Sequence, residues 1–267
     1  MKVDYFCPRW GSDDLSWEVF CRKVHEAGYD GIEYAVPSTV SPKELDEAWE
    51  NAAKYHLKVI VAHYDTVDPN FENHYRQYEK WFELVKSYPA VRLNSQTGKD
   101  YFSFEQNRLL IELAISRSSL ILHEIHRGKF SFSAHTTVPY LKLIPGLRLT
   151  FDVSHWVCVS ESFLEDQQEA VEIALDRVDH IHARVGHPEG PQVSDPRIAE
   201  WNFSFQKHLS WWDAIVEKKK AGDGYLTIAP EFGPFPYMIN NPLTGEPLSD
   251  QWEVNCYTMK FLRKRYS

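Results

Sequence analysis

Cysteine is scarce and scattered. The four, Cys7, Cys21, Cys158 and Cys256, form no C-x-x-C pair and no framework spacing, which excludes a disulfide-stapled scaffold and reads as free thiols in a reducing cytosol. Long apolar runs are also missing. No stretch approaches a membrane span, and the opening MKVDYFCPRWGSDD lacks an apolar core with a small-residue cleavage site, so a soluble, cytoplasmic chain with no membrane partner is expected. Basic charge is in deficit: 29 Lys and Arg against 38 Asp and Glu leave a formal charge of −9, which argues against a surface built to neutralise a nucleic-acid backbone. No linker rich in Gly, Ser or charge interrupts the 267 residues, so one domain, 1–267, is expected. With 43% hydrophobic and 25% charged residues, the chain has ample material for a large core, and disorder is not indicated.

What is present is a repeating unit of a short β-prone run, a polar break and an amphipathic stretch. The runs are VDYF (3–6), GIEYA (31–35), KVIVA (58–62), AVRLN (90–94), LILHE (120–124), RLTFD (148–152), VDHIHA (178–183) and YLTIAPE (225–231). Between them, Leu15, Val19, Phe20 and Val24 form an apolar stripe that stops at Gly28, a residue suited to ending a helix. Ser41 with Glu44 three residues on is a capping-box pattern, and Pro42 occupies the first turn, where proline is tolerated. Tyr75, Tyr78, Phe82 and Val85 mark a third helix, and Leu110, Ile111 and Ala114 a fourth. The helix after residue 124 is the weakest, because HRGKFSFS delays its start. The stretch Asp250–Tyr266 reads as a closing helix packed on the rest. Eight such units spaced about thirty residues apart predict a single (β/α)₈ TIM barrel, an α/β fold of roughly 250 residues. Two long Pro-bearing connections, 186–206 and 232–249, are of the kind that covers an active site.

Glu124, Asp152, His182 and Glu231 stand out. Each lies at or just past the end of a separate predicted strand, in ILHEIHRG, LTFDVSHW, HIHARVGHPEG and LTIAPEFGP, and in a parallel barrel those ends converge on one cleft. Three carboxylates and an imidazole make a mixed O/N site that suits one divalent ion, Mn²⁺, Mg²⁺, Co²⁺ or Zn²⁺. Any one of the four read alone is equally a helix cap or surface charge. Four together at buried strand ends are not expected unless paired or metal-bound. Arg127, Arg184 and His187 are candidates for holding substrate oxygens or a phosphate, with Arg127 equally readable as a salt-bridge residue outside the pocket. His63 is a secondary candidate for substrate contact, and Lys129 and Gln96 are weaker ones. Among nine tryptophans, Trp156 is best placed to stack on a sugar, the others being core.

HEIHRG, FDVSH, HIHARVG and PEFG, with the early GYDGIEYA, resemble the motifs of the xylose-isomerase-like TIM barrels, the sugar phosphate isomerase/epimerase group that includes ketose 3-epimerases and endonuclease IV. The resemblance implies a metal held by Glu124, Asp152, His182 and Glu231 in that order. It favours His182 over His180 as ligand, with His180 deeper and structural. It makes His155 of the Asp-x-x-His pattern a substrate-contacting or second-metal residue, and Glu124 and Glu231 the two acid/base groups. Two departures matter. LNSQTG lacks the histidine, and SDPRI the Asp-x-His pair, that a trinuclear endonuclease-IV-type cluster needs, so a nucleic-acid substrate is not expected. Ala183, Arg184 and His187 stand where the ketose 3-epimerases carry a Gly-Glu and a distal Arg, so substrate identity does not transfer. The expectation is a metal-dependent isomerase or epimerase acting on a sugar, sugar phosphate or related polyol through an enediolate. The alternatives are a metal-assisted hydrolase, dehydratase or lyase on the same ligands, or a non-catalytic carbohydrate-binding member.

Overall fold

Eight parallel strands pair in chain order, and the last returns to the first, closing a barrel. They are β1 (Lys2–Pro8), β2 (Gly31–Ala35), β3 (Lys58–His63), β4 (Arg92–Ser95), β5 (Ile121–Glu124), β6 (Leu149–Phe151), β7 (Val178–His182) and β8 (Tyr225–Ala229). The computed structural model describes residues 1–222 and 224–267. All eight expected strands are there, with ends shifted by a residue or so. β6 stops after three residues because Asp152 leaves the sheet and caps the following helix, its carboxylate accepting the Ser154 N–H.

Side-chain alternation along each strand sorts residues into two layers. Tyr5, Cys7, Ile32, Tyr34, Val59 and Val61 belong to the large apolar layer between sheet and helices. Their neighbours of opposite parity, Phe6 and Ile60, join Ala229 in a small separate cluster inside the barrel. Glu33, Asn94, Glu124, His180 and His182 are buried polar residues on the strands that surround this plug. The interior is therefore apolar at one level and polar toward the strand C-termini.

The helices are α1 (Trp17–Ala27), α2 (Pro42–Lys54), α3 (Phe71–Val85), α4 (Phe104–Arg117), α5 (Ala134–Leu143), α6 (Val153–Ser160), α7 (Gln168–Leu175), α8 (Asn202–Ala221) and α9 (Gln251–Tyr266). Gly28 ends α1 at φ 89°, the left-handed conformation anticipated for it. Ser41 caps α2 by accepting the Glu44 N–H. The Glu44 carboxylate instead accepts the Tyr34 hydroxyl at 2.9 Å, so only half of the expected capping box forms. As anticipated, the helix after β5 starts late, at Ala134. The expected connection 186–206 is shorter than read, since a 3₁₀ turn at Ala199–Trp201 runs into α8. No helix among the described residues is long and apolar enough to cross a membrane.

The two late loops are joined to one another and to the barrel. Gln192 exchanges hydrogen bonds with the Gly233 backbone at 2.7 and 3.1 Å. The closing helix α9 buries Val254, Met259 and Leu262, and its Arg263 donates to Gly28 O and Asp30. His208 of α8 ties the first loop to the helix layer: its ring donates to Ser204 O at 2.8 Å and accepts the Gly186 N–H at 3.2 Å.

Both ring nitrogens of His208 thus require one neutral tautomer, and burial pushes its pKa down to about 4. Below the unfolded value of about 6.5, protons bind preferentially to the unfolded chain, so stability present above that pH is lost as the pH falls toward 4. Chemical denaturation at pH 7 and pH 5 tests this. The wild-type loss over that interval should exceed that of His208→Gln by about 2 kcal/mol, and equal losses would show that His208 is not a source.

Candidate metal centre and substrate cavity

The four sequence-predicted ligands meet. Glu124, Asp152, His182 and Glu231 each offer an atom, and these atoms lie within 4.8 Å of one another. Glu124 is the last residue of β5, and its backbone carbonyl accepts the Ser131 hydroxyl. His182 is the last residue of β7. Asp152 is set by its capping role on α6. Glu231 lies two residues beyond β8, and the segment is fixed from α9: buried Asn255 accepts the Phe232 N–H at 2.9 Å and donates to Phe232 O at 3.1 Å.

The sequence reading missed Glu33. This buried β2 carboxylate accepts from His182 Nε2 at 3.0 and 3.1 Å, His180 Nε2 at 3.3 Å and Asn94 Nδ2 at 3.2 Å. Asn94 also donates to Glu124 at 3.3 Å. A hydrogen on His182 Nε2 is therefore spoken for, and Nδ1 is turned toward Glu231 Oε2, 2.9 Å away, and Glu124 Oε1, 3.5 Å away. This is the carboxylate–histidine arrangement that selects the ring tautomer at metal sites. His180 donates or accepts at Thr227 Oγ1, 2.7 Å away, with its other nitrogen on Glu33, which is the structural placement expected of it. One signal for Glu33 was available: a charged residue between Ile32 and Tyr34 in an otherwise apolar strand.

Electrostatics follow from these contacts. Burial alone would raise Glu33 and Glu124, yet the His182 charge beside them holds Glu33 far below the usual carboxylate range and Glu124 at about 2. Burial opposes a charge on His182, but Glu231, Glu33 and Glu124 together raise it well above its ordinary value. Burial lifts Asp152 to about 6 despite the Arg184 guanidinium. Arg184, itself buried, donates to Asp152 Oδ2, lies 3.6 Å from Glu231, and donates to His155 Nε2 at 2.9 Å.

A divalent ion fits this set. His182 Nδ1 and Glu231 Oε2 are buried and close, yet neither has a hydrogen-bond partner, and oxygen and imidazole donors suit hard or borderline cations. Both Asp152 oxygens are engaged, by Ser154 and by Arg184, so Asp152 would join an ion only as Arg184 shifts or shares. A second group, Glu124, His126 and His155, shares Glu124 with the first.

The remaining candidates scatter. Glu33, His63, Asn94, Gln96, His126, Arg184 and Tyr237 line a cavity of 670 Å³ together with Glu124, His182 and Glu231. His63 borders it, but both ring nitrogens are engaged, by Ser95 at 3.1 Å and Thr66 at 2.7 Å, and burial holds it neutral. His155 is fully buried, accepts from Arg184 and is tilted against His126 with ring centroids 4.1 Å apart, away from the cavity lining. Arg127 is likewise outside the lining and donates to the Tyr237 hydroxyl at 3.1 Å. His187 stacks on Trp201 at 4.8 Å within its own loop, not at the cavity. Trp156 cannot stack on a sugar: it is 1% exposed, donates to Ser131 O and packs edge-on against Phe151. Lys129 is buried outside the lining, and burial beside Lys99 lowers it to about 8.

Glu33→Gln should weaken binding of Mn²⁺ or Zn²⁺ about 10–100-fold by freeing the His182 tautomer, as read by equilibrium dialysis. Unchanged affinity would show that His182 needs no orienting partner.

No family model matches the sequence, and no curated protein matches it. Solved structures do match over nearly the full length. A probable 3-DHS dehydratase involved in petrobactin synthesis from Bacillus anthracis has a TM-score of 0.62 at 15% identity, covering 98% of this chain and 99% of that one. A xylose isomerase domain containing protein from Salmonella typhimurium gives the same 0.62, 15%, 98% and 99%. Endonuclease IV from Thermus thermophilus has a TM-score of 0.56 at 12% identity, with 98% of each chain covered. The presence of an endonuclease among them means that the fold itself does not exclude a nucleic-acid substrate. At these identities the likeness is one of architecture: the chain has the (β/α)₈ barrel fold that the xylose-isomerase-like proteins share, as its motifs implied.

Proposed function

We propose that this chain is a divalent-metal-dependent, cytoplasmic, single-domain isomerase or epimerase acting on a sugar, sugar phosphate or related polyol. The observation that carries the reading is the meeting of Glu124, Asp152, His182 and Glu231 within 4.8 Å, three of them, Glu124, His182 and Glu231, lining a 670 Å³ cavity. A cavity of this size suits a small molecule. Glu124, Asp152, His182 and Glu231 would hold the ion, which supplies charge that polarises a carbonyl and acidifies the neighbouring C–H. Glu124 and Glu231 take the proton-transfer roles, each carboxylate having a second oxygen available to accept a proton from carbon. A proton returned by the same glutamate to the adjacent carbon gives isomerisation; one delivered by the other glutamate to the opposite face gives epimerisation. Arg184, beside Asp152 and Glu231, holds the charge of the developing enediolate. Asn94 fixes the Glu124 carboxylate from the side, at 3.3 Å.

A dehydratase is the second reading, favoured by His126. It lines the cavity next to Glu124, and its Nδ1 donates to Arg127 O at 2.7 Å. Its Nε2 is then left without a hydrogen and can take the C–H proton, the resulting imidazolium returning that proton to the departing hydroxyl as water leaves. The printed description of the Bacillus anthracis neighbour points the same way.

Metal-loaded protein incubated in deuterium oxide with a panel of aldoses, ketoses, their phosphates and inososes should place deuterium at the carbon next to a carbonyl. Glu124→Gln should slow that exchange about 10²–10⁴-fold. Loss of water from a substrate would select the dehydratase. Tight sugar binding with no exchange, unchanged in Glu124→Gln, would sink both and leave a carbohydrate-binding protein.

A further inference from the structure

Among the described residues, Arg9 is the one arginine lining the cavity whose guanidinium has no anionic partner. Arg184 is committed to Asp152, and Arg127, outside the lining, to Tyr237. Arg9 follows directly on β1, and its backbone N–H donates to Glu33 O at 2.8 Å. Its side chain is 7% exposed and borders the cavity together with Trp10, Trp17 and Tyr34. Trp17 and Phe20 lie against the guanidinium, with ring centroids 4.6 and 4.7 Å from Cζ. Nη2 donates to the Leu15 carbonyl. Nη1 is buried and has no hydrogen-bond partner.

Among the described residues no carboxylate forms an ion pair with Arg9. The acidic side chains that act on it, Asp13 and Asp14, do so only at a distance; Asp13 accepts the Gly11 N–H at 3.3 Å, and Glu44, which shares the cavity lining, accepts the Tyr34 hydroxyl. Burial accordingly pushes the Arg9 guanidinium below its ordinary value. A desolvated cation held against aromatic rings with one Nη donor unused is costly unless an acceptor, best an anion, completes it. Trp17 and Phe20 cover it and Leu15 takes Nη2, so the acceptor has to come from the cavity.

We propose that Arg9 is an anion subsite of the cavity, and that the substrate carries a carboxylate or phosphate at the end remote from its reacting carbonyl. The substrate class rests on the isomerase or epimerase reading; the anion subsite itself does not. A cavity of 670 Å³ has room for both ends of such a molecule. It combines a carboxylate cluster for the polyol with a single unpaired guanidinium for the anion, so neutral sugars would leave Arg9 unsatisfied.

The test uses full-length, chelator-treated protein, so that no bound cation can attract the probe. Inorganic phosphate and acetate are titrated separately at constant ionic strength, with heat of binding and thermal protection as readouts. At least one should bind saturably at one site per chain. Arg9→Gln should weaken it tenfold or more, and Arg127→Gln should leave it within twofold. Preference for phosphate identifies a phosphorylated substrate, and preference for acetate a sugar acid. Should Arg9→Gln fail to fold, Arg9→Lys keeps the charge without the fork and should bind with intermediate affinity. Absence of saturable binding, or equal binding by wild type and the Arg9 variant, overturns the subsite. Because metal and turnover play no part, such a result leaves the proton-transfer reading standing, and a failed deuterium exchange leaves the subsite standing.

Discussion

The centre of this molecule is organised by one buried carboxylate. A glutamate inside a barrel is destabilising by several kcal/mol unless its charge is compensated and its lone pairs are filled. Glu33 meets that condition by accepting from two imidazoles and an amide, on β7 and β4. Those same bonds fix the His182 ring, and with it the direction of the one nitrogen that faces Glu124 and Glu231. The polar interior is therefore a connected network in which each member restricts the next. It lies alongside the apolar plug, Glu33 in register with Ile60 and His182 with Ala229, and reaches the strand C-termini through Glu124 and His182.

Around this centre lies a second arrangement built on Arg184. Its guanidinium reaches Asp152, His155 and the edge of Glu231, and its face lies 4.6 Å from the Tyr237 ring. Tyr237 belongs to the loop after β8 and packs edge-on against Trp10 at 5.3 Å. The loop covering the cavity is thus attached to the same arginine that pairs with Asp152. Charge balance in the site and closure of its cover are one structural matter.

The architecture was legible because period-2 and period-3.6 patterns are set by burial, and burial is what the barrel imposes on every unit. The four strand-end ligands were legible for a related reason: a charged residue following an apolar run has to leave the helix–sheet layer. Glu33 was not, because it sits mid-strand, where alternation hides an inward charge unless the strand is known to face a polar interior. Adjacency along the chain misled at Trp156, since its place beside His155 on α6 says nothing of which face the helix turns to the core. Arg127 and His187 failed similarly, as loop conformation, which local composition does not encode, decides where such side chains end. Arg9 carried no signal of its own beyond following a strand, and only its three-dimensional partners reveal what it lacks.

Asn255 gives the chain a temporal order. It lies in the closing helix, yet it holds both backbone groups of Phe232, the residue next to Glu231. All eight strands and all four acidic or imidazole groups at the mouth precede this element in the chain. The segment that carries the fourth, Glu231, is held in place only once α9 has docked. A barrel on which α9 has not yet docked therefore presents these four groups incompletely positioned.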